Sequence, residues 1–96
     1  MHARVSIISG SPERVERGIA TFRERVVPAV RELGGRGAIM LVDRQSGTGM
    51  AITLWEDEAS MRASEERANE LRRQATEEMG GDEPRVERYE VAVFEL

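Results

Sequence analysis

Apolar and polar positions alternate most clearly over Met50–Trp55. There Met50, Ile52 and Leu54 interleave with Ala51, Thr53 and Trp55. A period of two with apolar residues on both faces is the pattern of a strand covered on both sides. Over Glu56-Asp57-Glu58 the pattern breaks into acids, which suit a helix start because they complement its unpaired N–H groups. A strand over Thr48–Glu56 therefore runs into a helix over Ala59–Met79, with the sole tryptophan, Trp55, at the corner. That helix has a thin stripe of Met61, Ala68, Leu71, Ala75 and Met79. The remainder is Glu and Arg at three- and four-residue spacings, a solvated face. Gly80-Gly81 closes it and Pro84 bars its resumption.

Upstream, residues 3–9 read as a first strand, with Val5 and Ile7 on one face and Ser6 and Ile8 on the other. Ser11 and Pro12 then suit the cap and first position of a helix. Val15, Ile19, Phe22, Val26 and Val30 form its apolar stripe. Pro28 lies inside that stripe, so a kink or a fresh short helix over Pro28–Leu33 is expected, ended by Gly34-Gly35. Gly37–Asp43 is a second strand, and the turn at 44–47 pairs it with the third as an antiparallel hairpin. Arg85–Leu96 reads as a long last strand whose end, Val91-Ala92-Val93-Phe94, is apolar on both faces.

The order β-α-β-β-α-β is the split βαβ, or ferredoxin-like, arrangement. It is an α+β fold with a four-stranded antiparallel sheet and two helices on one face. The other face, also apolar, needs a cover, and a second copy packed sheet against sheet is the simplest one. Ninety-six residues make one domain, 1–96, with a modest core.

Composition narrows the chemistry. The net charge of −4 disfavours a nucleic-acid partner. All fourteen basic residues are arginine, and they alternate with acids instead of clustering. The absence of cysteine removes thiolate catalysis and thiolate metal sites. One histidine, His2, cannot build an imidazole metal site and is expected to be frayed and exposed. The apolar runs are too short to span a membrane, and a cytoplasmic location is the expectation.

The residues around the tryptophan corner resemble a known family. They are Phe22, Val26 and Pro28 in the first helix and Gly34-Gly35 before the hairpin. Leu41-Val42-Asp43-Arg44, Ser46-Gly47 and Leu54-Trp55-Glu56-Asp57-Glu58-Ala59 complete the set. With the element order they resemble the dimeric α/β-barrel superfamily, and within it the antibiotic biosynthesis monooxygenase-like domains. The resemblance implies a homodimer formed through the sheet face and a pocket between sheet and helices, lined by a tryptophan matching Trp55. It also implies oxygenase chemistry with no cofactor on a small aromatic or polyketide-like compound. The haem-degrading branch carries an asparagine in the first strand and a histidine on the second helix. Neither stands here, so the match does not extend to haem cleavage.

The candidate pocket residues are Trp55, Thr53 and Ala51 on the third strand, Asn69 on the second helix and Tyr89 on the last strand. Trp55 reads as a pocket wall that stacks on a flat substrate, or as a core anchor. Small residues at Ala51, Thr53, Ala68 and Ala75 leave room for a cavity, or let helix and sheet approach closely. Asn69 and Tyr89 offer polar contacts to a substrate, or face water as ordinary helix and strand residues. No general base stands out. A non-catalytic dimer that binds a small apolar ligand, or serves in stress, is the alternative reading.

Overall fold

The structure is a computed structural model. It describes residues 1–79 and 83–96, without the side chains of Ala75, Glu78 and Met79. The expected Gly80-Gly81 helix end and the Ala75 and Met79 part of the stripe lie outside the described residues. The elements are β1 (His2–Ile8), a short 3-10 turn (Pro12–Arg14), α1 (Val15–Thr21) and α2 (Val27–Glu32). They continue with β2 (Gly37–Asp43), β3 (Thr48–Trp55), α3 (Glu58–Ala63), α4 (Glu65–Met79) and β4 (Arg85–Glu90). The four strands form one antiparallel sheet in the order β2-β3-β1-β4. This is the ferredoxin-like arrangement that the element order implies.

Register fixes which side chains share a face. Arg4 pairs with Thr53, Ser6 with Ala51, and Met40 with Ala51. With side chains alternating along each strand, Arg4, Ser6, Ile8, Met40, Ala51, Thr53 and Trp55 all lie on the helix-covered face, and they line one cavity. The opposite face carries Val5, Ile7, Ile39, Leu41, Met50, Ile52 and Tyr89. Ile39 is 39%, Leu41 51% and Tyr89 52% exposed.

Between α1 and α2 the helix widens into a π turn over Phe22–Val26, where the Val27 N–H reaches the Phe22 carbonyl. Pro28 explains the irregularity. It has no N–H to return to the preceding turn, so the helix cannot run through it with regular bonding. The expected fresh helix begins one residue earlier, at Val27. Gly34 then takes φ +83°, and the Gly35 N–H bonds the Val30 carbonyl at 2.7 Å. A Cβ at Gly35 would meet Val30 Cγ1 at 2.3 Å and Trp55 Cζ3 at 3.3 Å. The glycine therefore lets the helix end close down on the tryptophan. Val30, Trp55 and Met61 form the buried cluster there, with Val26 packed against it.

Four expectations are corrected. The second long helix is two helices, broken at Ser64. The last strand ends at Glu90, not Leu96, because its register pairs Glu90 with His2. One further bond, Val91 N–H to the Met1 carbonyl at 2.8 Å, follows the last ladder pair. Residues 91–96 then carry Val93, Phe94 and Leu96 exposed. His2 is not frayed: it is half-buried and pairs with both Trp55 and Glu90. Ser11 is extended and caps through its carbonyl, which accepts from the Arg14 N–H, not through its side chain. Among the described residues, no helix is long and apolar enough to cross a membrane.

Candidate functional site

A cavity lies between the sheet and the helices, with β1 and β3 as its floor and Phe22, Val30, Ala68 and Leu71 among its walls. Its volume is about 60 Å³, several times the ~10–15 Å³ that one water needs. The surroundings are almost wholly apolar. Trp55 closes one end at 1% exposure, and its indole Nε1–H donates to Thr53 Oγ1 at 2.9 Å. Trp55 is thus a cavity wall and a core anchor at once. Ala51 and Thr53 line the same wall, and Thr53 also fixes the indole's rotation.

The structure does not bring the other two candidates into this cavity. Asn69 is exposed, one residue past Ala68 and so about a quarter turn around α4. Its Oδ1 accepts from Arg72 Nη2, and it borders a separate cleft between α4 and β4. Tyr89 pairs with Ala3, which puts its ring on the opposite sheet face. Its hydroxyl bonds Glu87, which holds its pKa above the usual phenol value.

The charged residue at the centre of the site is Arg4. It is 3% exposed and its guanidinium carbon lies 5.7 Å from the centroid of the Trp55 ring, within cation–π range. Its Nη2 donates to the Met61 carbonyl at 2.5 Å and to Ser64 Oγ at 3.0 Å. The same nitrogen lies 2.5 Å from Glu65 Oε2, and Arg88 grips the other oxygen of that carboxylate. Burial, then the positive charges of Arg72 and Arg88, pull the Arg4 pKa down to about 10, so it stays cationic at neutral pH. Arg72, which also borders the cavity, has its pKa lowered by burial alone.

These contacts account for the break between α3 and α4. The Met61 carbonyl serves Arg4 and also the Ser64 hydroxyl, at 2.7 Å. With its carbonyl turned to the strand arginine, α3 ends at Ser64. A new helix starts from the Ser64 carbonyl, which accepts from Ala68 N–H at 2.9 Å. Asp57 caps α3 by accepting from Ser60 N–H at 2.8 Å.

Arg4, Ser64, Glu65 and Arg72 were not legible as site residues from residue type. One signal did exist for Arg4: it shares strand parity with Ser6 and Ile8, so it points the same way as they do.

No family model matches the chain. Two uncharacterised proteins of Mycobacterium tuberculosis are 39% and 40% identical to it over 95 residues, 98% of this chain. The chain spans only 42% and 40% of their lengths. Among solved structures, a monooxygenase of Streptomyces coelicolor in complex with nanaomycin D superposes with a TM-score of 0.78. It is 18% identical, over 99% of this chain and 90% of that one. SnoaB, a cofactor-independent oxygenase of Streptomyces nogalater, gives 0.69 at 15% identity, over 97% and 94%. A dimeric ferredoxin-like protein from an uncultured marine organism gives 0.71 at 8% identity, over 99% and 90%. By these likenesses the chain has the ferredoxin-like fold that these solved structures share.

Proposed function

We propose that the cavity under Trp55 binds a planar, electron-rich aromatic compound, and that the protein oxidises the ionised form of that compound with molecular oxygen and no cofactor. The observation that carries this reading is the apolar cavity walled by a buried tryptophan with a guanidinium beside it. A flat ring stacks against the indole, and the nearby cation favours the ionised ring. The fold likeness to a monooxygenase and a cofactor-independent oxygenase supports the same reading.

In this chemistry the substrate supplies the electrons. An ionised phenol reacts at a ring carbon with molecular oxygen. One oxygen atom stays on that carbon to give a quinone, and the other leaves as water with the two displaced protons. The protein holds the ring, excludes water and stabilises the anion. Among the described residues, no carboxylate or imidazole borders the cavity. The reading therefore calls for a substrate acidic enough to arrive ionised. That same lack of a base favours the alternative, a non-catalytic protein that binds a small ligand. Oxygen uptake with a panel of dihydroxynaphthalenes and anthrones separates the two. Uptake matched by quinone formation supports the oxygenase. Binding without uptake leaves only the ligand-binding protein.

The assembly belongs to the same reading. The apolar face with Ile39, Leu41 and Ile52, together with the exposed segment after Glu90, suits a homodimer through the sheet. Light scattering at micromolar concentration should give twice the 10.8 kDa chain mass, and a stable monomer would refute the dimer.

A further inference from the structure

The cavity is smaller than the ring that the reading above places in it. It measures about 60 Å³, whereas an enclosed apolar cavity that takes up benzene measures roughly 150 Å³. A wall must therefore give way, and most of the walls are tied down. The floor strands β1 and β3 pair with each other along their lengths, and each has a further strand on its other side. The indole of Trp55 is held by Thr53. Helices α3 and α4 are tied to the sheet by Arg4, which bonds the Met61 carbonyl and Ser64, and by Glu65, which Arg4 and Arg88 share. The wall made by Val26, Ala29, Val30 and Leu33 is different. Among the described residues, no side chain of α2 makes a hydrogen bond or an ion pair. Its side chains hold it down by apolar packing alone, chiefly that of the buried Ala29 and Val30.

Both ends of α2 are joints. At its start the chain leaves the π turn over Phe22–Val26, and Pro28 gives no N–H to the turn before it. Proline and π turns are where helices bend. At its end Gly34 takes φ +83°. The Gly35 N–H is bonded to the Val30 carbonyl, on the helix, and the next N–H, of Arg36, to the Leu54 carbonyl at 2.7 Å, on the sheet. The chain passes from helix to sheet at that glycine pair, and glycine tolerates large changes of φ and ψ. Leu33 borders the cavity and is 43% exposed, so it marks the free edge of this wall. We propose that α2 is a flap: it swings away from Trp55 about the π turn and Gly34-Gly35, admits a planar ring, and closes over it. This rests on the aromatic-binding reading above and adds how the ligand reaches the cavity.

The test is nitrogen relaxation dispersion on the ligand-free protein, which reads motion on the microsecond-to-millisecond scale. Val26, Val30, Leu33 and the Trp55 indole N–H should share one exchange rate, and Val5 and Leu71 should show none. Pro28→Ala, at an exposed position, restores an N–H at the joint. It should slow the opening about threefold to tenfold, the worth of one added hydrogen bond. Gly35→Ala should act the other way. Its Cβ would meet Val30 Cγ1 at 2.3 Å and Trp55 Cζ3 at 3.3 Å, and so wedge the helix end off the tryptophan. Acrylamide should then quench Trp55 more strongly than in the parent; if Gly35→Ala does not fold, Pro28→Ala carries the test by itself. In stopped flow, the binding rate of dihydroxynaphthalene should level off with rising concentration at the opening rate found without ligand. A still α2, or exchange spread evenly over sheet and helices, overturns the flap whether or not a ring binds. So does a Pro28→Ala protein that opens as fast as the parent, or binding that accelerates past the opening rate. An α2 that moves as described in a protein that binds no ring leaves the flap standing and overturns the aromatic-binding reading alone.

Discussion

Trp55 Nε1 lies 2.9 Å from Thr53 Oγ1, so the buried indole is tied to the residue two places back on the same face of its own strand. The indole is 1% exposed, so its N–H depends on that acceptor and not on bulk water. Thr53→Val keeps the shape and removes the oxygen. It should cost about 1–3 kcal/mol, the cost of an orphaned buried donor, while Thr53→Ser should recover most of it. Urea denaturation of the three proteins measures both. A valine variant as stable as the parent would show that the bond does not fix the indole.

The Arg4–Glu65 pair should behave as a coupled unit. Arg4→Met relieves the burial of a charge but strips the Met61 carbonyl, Ser64 and Glu65 of their shared donor. Breaking one side of a buried pair costs about 3–5 kcal/mol. The cost here should fall at or below the low end, because Glu65 keeps Arg88. Adding Glu65→Gln to Arg4→Met should then cost less than Glu65→Gln does alone. A double-mutant cycle read by denaturant unfolding gives the coupling, and strict additivity would contradict it.

The start of α3 should carry a pH signature. Asp57 has its pKa held below the usual carboxylate value, first by its bonds to the Ser60 backbone N–H and side chain. A carboxyl depressed in the folded state contributes stability above its unfolded pKa, and that contribution is lost as pH falls through the folded value. Asp57→Asn keeps an acceptor oxygen and removes the titration. The parent should exceed it in melting temperature near neutral pH, and the gap should close as the solution is acidified below about pH 4. Glu58, lowered chiefly by Arg62, titrates alike in both proteins and cancels in the comparison. A gap independent of pH would mean that the charge of Asp57 is not what stabilises the cap.

Much of the fold could be read from periodicity. β2 has the expected bounds, and β1 and β3 differ from expectation by one residue at their ends. The inward set of Ala51, Thr53 and Trp55 follows from strand alternation alone. What escaped depends on contacts between distant segments. The break at Ser64 comes from Arg4, sixty positions away, and nothing in the local pattern of α3 and α4 announces it. The early end of β4 comes from where β1 starts, a matter of register and not of β-propensity. Asn69 and Tyr89 fell outside the cavity because one step along a helix, or strand parity in a four-stranded register, decides the face. Residue type does not. Arg4 was missed for a matching reason: arginine in a charged sequence reads as solvated, and only its partners show that it is buried.

The central claim is that the cavity beside Trp55 holds a planar aromatic ligand. With a single tryptophan, the protein gives one indole N–H cross-peak in a proton–nitrogen correlation spectrum, a direct reporter on that wall. Titration with dihydroxynaphthalene should move this peak progressively to saturation, together with backbone peaks of Ala51, Thr53, Ala68 and Leu71. Peaks of Leu41 and Tyr89 on the opposite face should stay still. An indole peak that does not move at saturating ligand, or shifts confined to the opposite sheet face, would contradict the account.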